Sequence, residues 1–259
     1  MSDLGVQPVT EAPLGPGMSQ MQRVTSVFAF APSKTFEDIK RGNKSWWLPW
    51  VIMALVGYLF FAVVVSKVGM QTVVDNQTKL MSESQQEKMA QMPPEQRAMT
   101  AKISLYVTEG IFIASPLFVL LVAAIVALVL WGTINFVFGG KATFGAVFAV
   151  WFFANLWSIA KSLVGAIILF VGNSPETFNI KNFAPTNLAA FLYPNPAEAN
   201  QALYALTSSL DIVTIVSLFL MGMGIATVAG VKRSSGYIAV FGWWAIIVLV
   251  GVGWAAAFG

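Results

Sequence analysis

The chain has 259 residues, of which 57% are hydrophobic and only 10% charged, and its mean hydropathy is +0.71. A soluble domain carries about 25% charged residues, so there are too few charges here to cover a water-soluble body, and the composition is that of an integral membrane protein. Cys and His are both absent, which excludes disulfides, thiolate chemistry and the commonest metal ligand and general base; the net charge of +3 fits membrane topology, not nucleic-acid binding.

Residues 1–25 precede the membrane domain, which is expected to fill 26–259. Within them, 1–22 are rich in Pro, Gly and small polar residues without hydrophobic period, predicting a disordered tail. No apolar stretch of a cleavable signal peptide lies there, so the first span is expected to act as its own insertion signal. The run PSKTFEDIKRG (32–42) predicts a short helix capped by Ser33 or Thr35 and stopped by Gly42, with Glu37 and Asp38 at its positive end. Phe28, Phe30, Phe36 and Ile39 supply an apolar side, and Lys34, Lys40, Arg41 and Lys44 supply charge. That pattern predicts an N-terminal interfacial helix, with a solvated linker helix as the alternative.

Five stretches, about 46–65, 111–137, 144–171, 212–231 and 237–258, are long and apolar enough to cross a bilayer as helices. Trp46, Trp47 and Trp50 are expected to form an interfacial aromatic belt. The insertion at 67–110 is polar, with Val73, Val74, Leu80 and Met81 near a 3.6-residue period and a break at Pro93-Pro94. It predicts an extracytoplasmic helical hairpin, with Pro94 starting an arm into the second span. Met70, Met81, Met89, Met92 and Met99 offer either an adaptable contact surface or packing against the bundle. The insertion at 172–210, with its four prolines, predicts an irregular ordered lid containing short helices such as 198–206. Gly139-Gly140-Lys141 and Lys232-Arg233-Ser234-Ser235 read as tight turns on the opposite side.

The side holding the N-terminus and the tight turns carries eight Lys/Arg against four acids, and the other side six against eight. The positive-inside rule then places the N-terminus in the cytoplasm and the C-terminus outside.

Lys161 is the one charge well inside a span. At that depth it costs at least about 2.5–3.5 kcal/mol and needs a partner, for which Glu109 and Asp211, at the outer ends of the second and fourth spans, are the candidates. Asn155, Ser158 and Ser162 lie at i, i+3 and i+7 beside it, a polar stripe expected to face the bundle. That stripe is either an ion or substrate pathway, a structural cluster, or the surround of a snorkelling lysine. Ser158 and Lys161 also match S-x-x-K, but as a helical i, i+3 pair without the supporting motifs of that enzyme class. Gly222, Ala226 and Gly230 form a row of small residues suited to close helix packing, and Gly253 and Ala257 repeat it in the fifth span. No phosphate loop, dinucleotide fingerprint or metal-ligand spacing occurs, so no cofactor is expected.

The block PSKTFEDIKRGNKSWWLPW (32–50) resembles the entry of bacterial Yip1-domain proteins, a Pro-led helix followed by Trp and Pro at the first span. The block LDIVTIVSLFLMGMGIATVAGVKRSSGYIAVFGWW (210–244) resembles the last two spans of that family, with an acidic entry, a Gly-containing stretch and a basic turn. The resemblance implies a small polytopic protein of the bacterial cytoplasmic (inner) membrane without an established enzymatic activity. Eukaryotic relatives act in Golgi and endoplasmic-reticulum trafficking with Rab GTPases. The acidic-Leu-Tyr-Gly-Pro motif they carry before the first span is missing here, so the chain gives no support for Rab binding.

The expected fold is therefore an all-α membrane protein, a five-transmembrane-helix bundle with an N-terminal interfacial helix and an extracytoplasmic helical hairpin. The expected function is a non-enzymatic scaffold or adaptor, with the lipid bilayer and other membrane proteins or a second copy as partners. The alternative is a small transporter or channel component using the Lys161 stripe, and a Ser–Lys hydrolase is a distant third.

Overall fold

The computed structural model describes residues 17–258 except Phe30, Ser82, Asn173, Ala197 and Glu198. The expected tail lies partly outside these residues, and where it is described it is not a tail. Helix α1 (Gln20–Phe28) is fixed by a capping box, in which Ser19 Oγ accepts from the Gln22 N–H and the Gln22 side chain accepts from the Ser19 N–H. Its Arg23, Val24 and Val27 are buried, and the helix is amphipathic, with Val24, Val27 and Phe28 toward the core.

Helix α2 (Pro32–Lys40) starts on Pro32, whose missing N–H costs nothing at that position. Neither Ser33 nor Thr35 caps it. Thr35 is buried, and its hydroxyl donates to the Arg23 carbonyl at 2.9 Å. Gly42 stops the helix as expected, at φ +116°, a left-handed conformation that favours glycine. The apolar side of α2 packs on the bundle and not on lipid, with Phe36 and Ile39 fully buried.

Five helices are long and apolar enough to span. The first is α3 (Trp47–Lys67). The second, α6, runs unbroken from Pro94 to Gly132 and continues as a π-helix over Thr133–Val137. Its internal Pro116 lacks an N–H for the Phe112 carbonyl, and the Ser115 hydroxyl supplies the missing donor at 2.7 Å. The third stretch is two helices, α7 (Phe144–Ala154) and α8 (Ser158–Val171), joined by a 3₁₀ turn at Asn155–Trp157. The fourth and fifth are α11 (Ile212–Ala229) and α12 (Arg233–Phe258).

The most extensive contact in the bundle is between α11 and α12, while α11 also packs along α7 and α3 packs along α8. The two halves of the third stretch thus serve different neighbours. The main core lies around α7, with Phe152, Phe153 and Leu156 fully buried against Ile225 of α11 and Ala123 and Ala127 of α6. The expected aromatic belt does not form as a unit. Trp46 stacks on Phe152 at 5.1 Å, Trp50 donates to the Pro116 carbonyl at 3.1 Å, and Trp47 alone of the three is exposed.

The 67–110 insertion holds α4 (Met70–Lys79) and α5 (Glu83–Ala90) before Pro94 opens α6. Met70 joins a second core with Val73, Phe60, Leu169 and Phe178, whereas Met81 and Met99 are exposed, so Met70 packs against the bundle and is no part of an exposed methionine surface. The 172–210 insertion is the expected lid. It is built of 3₁₀ turns at Pro175–Thr177 and Ile180–Asn182, then α9 (Ala189–Leu192) and α10 (Gln201–Ser209). The last of these was expected at 198–206. Glu198 lies outside the described residues, and Asn200 sets the start by accepting from the Leu203 N–H. Asn76 of α4 is buried and fastens the lid by donating to the carbonyls of Pro175 (2.8 Å) and Phe178 (3.1 Å).

Candidate functional site

Lys161 lies on the first turn of α8 and points at the mouth of α11. Its Nζ is 3.1 Å from Asp211 Oδ2, with about a third of the lysine side chain exposed and only 2% of the aspartate. Asp211 is also the cap of α11, where Oδ1 accepts from the Thr214 N–H at 2.9 Å. Oδ2 accepts from the Thr186 hydroxyl at 2.5 Å. Two backbone bonds lie alongside, from the Ile212 N–H to the Thr186 carbonyl (2.9 Å) and from the Leu188 N–H to the Leu210 carbonyl (3.1 Å). One carboxylate therefore ties α8, the lid and α11 together. Burial pushes that carboxyl up, but the Thr186 hydroxyl, the Thr214 N–H and Lys161 outweigh it and hold it below its ordinary value.

Of the two candidate partners, only Asp211 engages Lys161; Glu109 takes part in neither ion pair found among the described residues. The expected stripe divides. Asn155 sits in the 3₁₀ turn and donates to the Trp151 carbonyl at 2.8 Å. Ser158 and Ser162 line a cavity of about 170 Å³ between α3, α6 and α8, with Trp50, Gly57, Ser115 and Pro116 on its other walls. Lys161 and Asp211 are not part of that lining. A 3₁₀ turn has 3.0 residues per turn, so its insertion shifts the phase that a continuous helix would keep from Asn155 onward. That shift separates Asn155 from the rest of the stripe. Within α8 itself Ser158 and Ser162 are i, i+4 neighbours facing α3 and α6, while Lys161, about 60° round the helix from Ser158, reaches Asp211 ahead of α11.

The small-residue row is half right. A Cβ at Gly222 would fall 2.4 Å from the Tyr237 ring, and one at Gly236 would fall 2.2 Å from the Gly222 carbonyl oxygen and 2.8 Å from the Ala226 Cβ. Gly222 and Ala226 therefore bring α11 against α12 at close range. Gly230 does not belong to the row; it ends α11 in the left-handed conformation at φ +69°. Gly253 faces open space and Ala257 is exposed, so the second row makes no such contact. Gly236 is the residue that sequence reasoning missed; the residue four on is Val240, so no small-xxx-small spacing marks it.

A second polar cluster was also missed. Arg23, one of the eight cations counted on the N-terminal side, is 1% exposed. Its Nη1 donates to the Asn43 carbonyl at 2.7 Å, its Nε lies 3.6 Å from Asp38 Oδ2, and its guanidinium covers the Phe153 ring. Asp38 accepts in turn from the Met18 N–H and from Asn43 Nδ2. Burial lowers the Arg23 pKa and Asp38 opposes the shift. The cluster seats α1 and α2 on α7.

Five spanning-length helices, two short helices folded against one end and a lid at the other define a polytopic all-α membrane protein. The chain matches the Yip1 domain over residues 25–255, and it belongs to that family. No curated protein and no solved structure matches it. Yip1-family membrane proteins are not known as enzymes.

Proposed function

We propose that the protein is a non-enzymatic scaffold or adaptor of the bacterial cytoplasmic membrane, acting through helix–helix and loop contacts with other membrane proteins. Its N-terminus lies in the cytoplasm and its C-terminus outside, following the charge asymmetry. The observation carrying this reading is the use made of Lys161. Its charge is answered by a buried carboxylate that also caps a span and holds the lid, which is a fastening role. The runner-up is a small transporter component, favoured by the serine-lined cavity beside Pro116.

Lys161→Met separates the two. Breaking a fully buried pair costs about 3–5 kcal/mol, and the partial exposure of Lys161 places the expected loss below that range. A fastening role predicts a lower melting temperature for Lys161→Met and partial recovery when Asp211→Asn is added. A Lys161→Met protein that melts normally and assembles, but has lost a measurable flux, would establish the transport reading instead.

A further inference from the structure

The end of the molecule built by α1, α2 and the two tight turns carries a concentrated positive charge. Lys34 and Lys40 stand on the exposed face of α2 and exposed Arg41 caps its C-terminus, while Thr35, Phe36, Asp38 and Ile39 of the helix are buried. Lys44 follows the helix, and Lys141, Lys232 and Arg233 occupy the turns; all four are exposed. Among the described residues, Glu37 is the only exposed carboxylate at this end, because Asp38 is buried against Arg23 and Asn43. Seven exposed cations thus meet one exposed anion.

These charges also share a depth. The Lys141 N–H donates to the Ala229 carbonyl at the end of α11 (3.0 Å). The Lys44 side chain passes 3.6 Å from where a side chain at Gly145, in the first turn of α7, would begin. Phe36 packs against Gly224, six residues before Gly230 and so about 9 Å from it along the helix. Lys44, Lys141, Lys232 and Arg233 therefore lie near the plane where α11 ends and α7 and α12 begin, with α2 packed within about 9 Å of it, and that level is the headgroup region of a spanning bundle.

We propose that this rim is a binding surface for the anionic phospholipids of the leaflet it faces, with the phosphate-bearing headgroups as ligand. The positive-inside rule accounts for how many cations lie on one side, but it is a count and is indifferent to helix faces. The rule does not require Asp38, one of the two acids of α2, to be buried beside Arg23 while Lys34, Lys40 and Arg41 stay exposed and leave Glu37 as the one exposed acid among them. A surface that concentrates anionic lipid does require that arrangement.

The test uses the full-length protein in mild detergent, with phosphatidylglycerol or phosphatidylcholine added and the bound lipids counted by native mass spectrometry. At low salt the protein should retain phosphatidylglycerol over phosphatidylcholine, and the preference should shrink at about 1 M salt, where the screening length is about 3 Å. Each cation near the surface contributes about five-fold, the equivalent of about 1 kcal/mol. Lys34→Gln combined with Lys40→Gln and Arg41→Gln should therefore reduce the preference by up to ~100-fold. Lys79→Gln with Lys88→Gln, at the lid end, should leave it unchanged. If the α2 variant does not fold, Lys141→Gln with Lys232→Gln and Arg233→Gln tests the same rim from the turns. Equal retention of the two lipids by the wild type would overturn the proposal, as would an equal loss in the lid-end variant. So would an unchanged lipid preference in a rim variant that instead loses a co-purifying nucleic acid or acidic protein.

Discussion

Replacing Gly236 by alanine adds one methyl group at the tightest point of the bundle. Its Cβ falls 2.2 Å from the Gly222 carbonyl oxygen, 2.8 Å from the Ala226 Cβ and 3.0 Å from the Ala226 nitrogen. All three obstacles are backbone of α11 or a carbon bonded directly to it, so no side-chain rotation relieves them. The helices must separate by about 1 Å to restore ordinary contact distances, and they do so along the largest contact in the molecule. Overpacking costs about 1–3 kcal/mol, and the rigid obstacles place this site in the upper part of that range. Helix propensity returns up to about 1 kcal/mol, leaving a net loss of about 1–2 kcal/mol. Gly242→Ala and Gly251→Ala, on the same helix with open space around both glycines, isolate the propensity gain. Thermal unfolding in mild detergent should rank Gly236→Ala below wild type and both controls at or above it. A Gly236→Ala protein melting with the controls would refute the close-packing argument.

Asn76→Ala frees the Pro175 and Phe178 carbonyls at about 1–3 kcal/mol, so protease cleavage within 172–186 should accelerate; unchanged cleavage would mean that α4 does not hold the lid. Because the Asp211 carboxyl is held below its ordinary value, its contribution to stability is present above about pH 4 and lost as pH falls through the lowered value. Asp211→Asn should flatten the acid limb of a stability–pH profile, and a wild-type profile flat to about pH 2 would contradict this. With no native cysteine, Ser33→Cys and Ser234→Cys should resist a membrane-impermeant thiol reagent in intact cells while Gln85→Cys labels. The opposite pattern would reverse the orientation.

Hydropathy carried the five spans and both insertions, because length and apolar content suffice to mark a membrane helix. It carried no information on neighbours along the bundle axis. That α3 lies along α8 and α11 along α7 depends on where each helix sits relative to the others, and apolar side chains do not encode that offset. The polar stripe divides at one point, since the three-residue change of helical pitch at Asn155–Trp157 takes Asn155 out of phase with the residues of α8 that follow. The N-terminal end was read least well. Arg23 sits in a Pro- and Gly-rich context typical of tails, and its burial rests on Asp38, Asn43 and Phe153, residues up to 130 positions away. Gly230 and Gly236 show the same limit on a smaller scale, since one is needed for its φ and the other for its missing side chain.

The proline of α6 and the first turn of α8 line one cavity, so the 3₁₀ turn that leads into α8 lies next to the level of Pro116. Helices bend most cheaply at proline and at departures from α geometry. Around Pro116 the weakness is partly reinforced, with Ser115 serving the Phe112 carbonyl, Tyr58 the Ile113 carbonyl and Trp50 that of Pro116 itself. Two of those three donors come from α3, so α3 acts as a splint strapped across the joint. Flexing the lid-bearing half against the half that carries α1 and α2 would stretch those two bonds first. One tryptophan and one tyrosine thereby brace the proline of α6 from the neighbouring span.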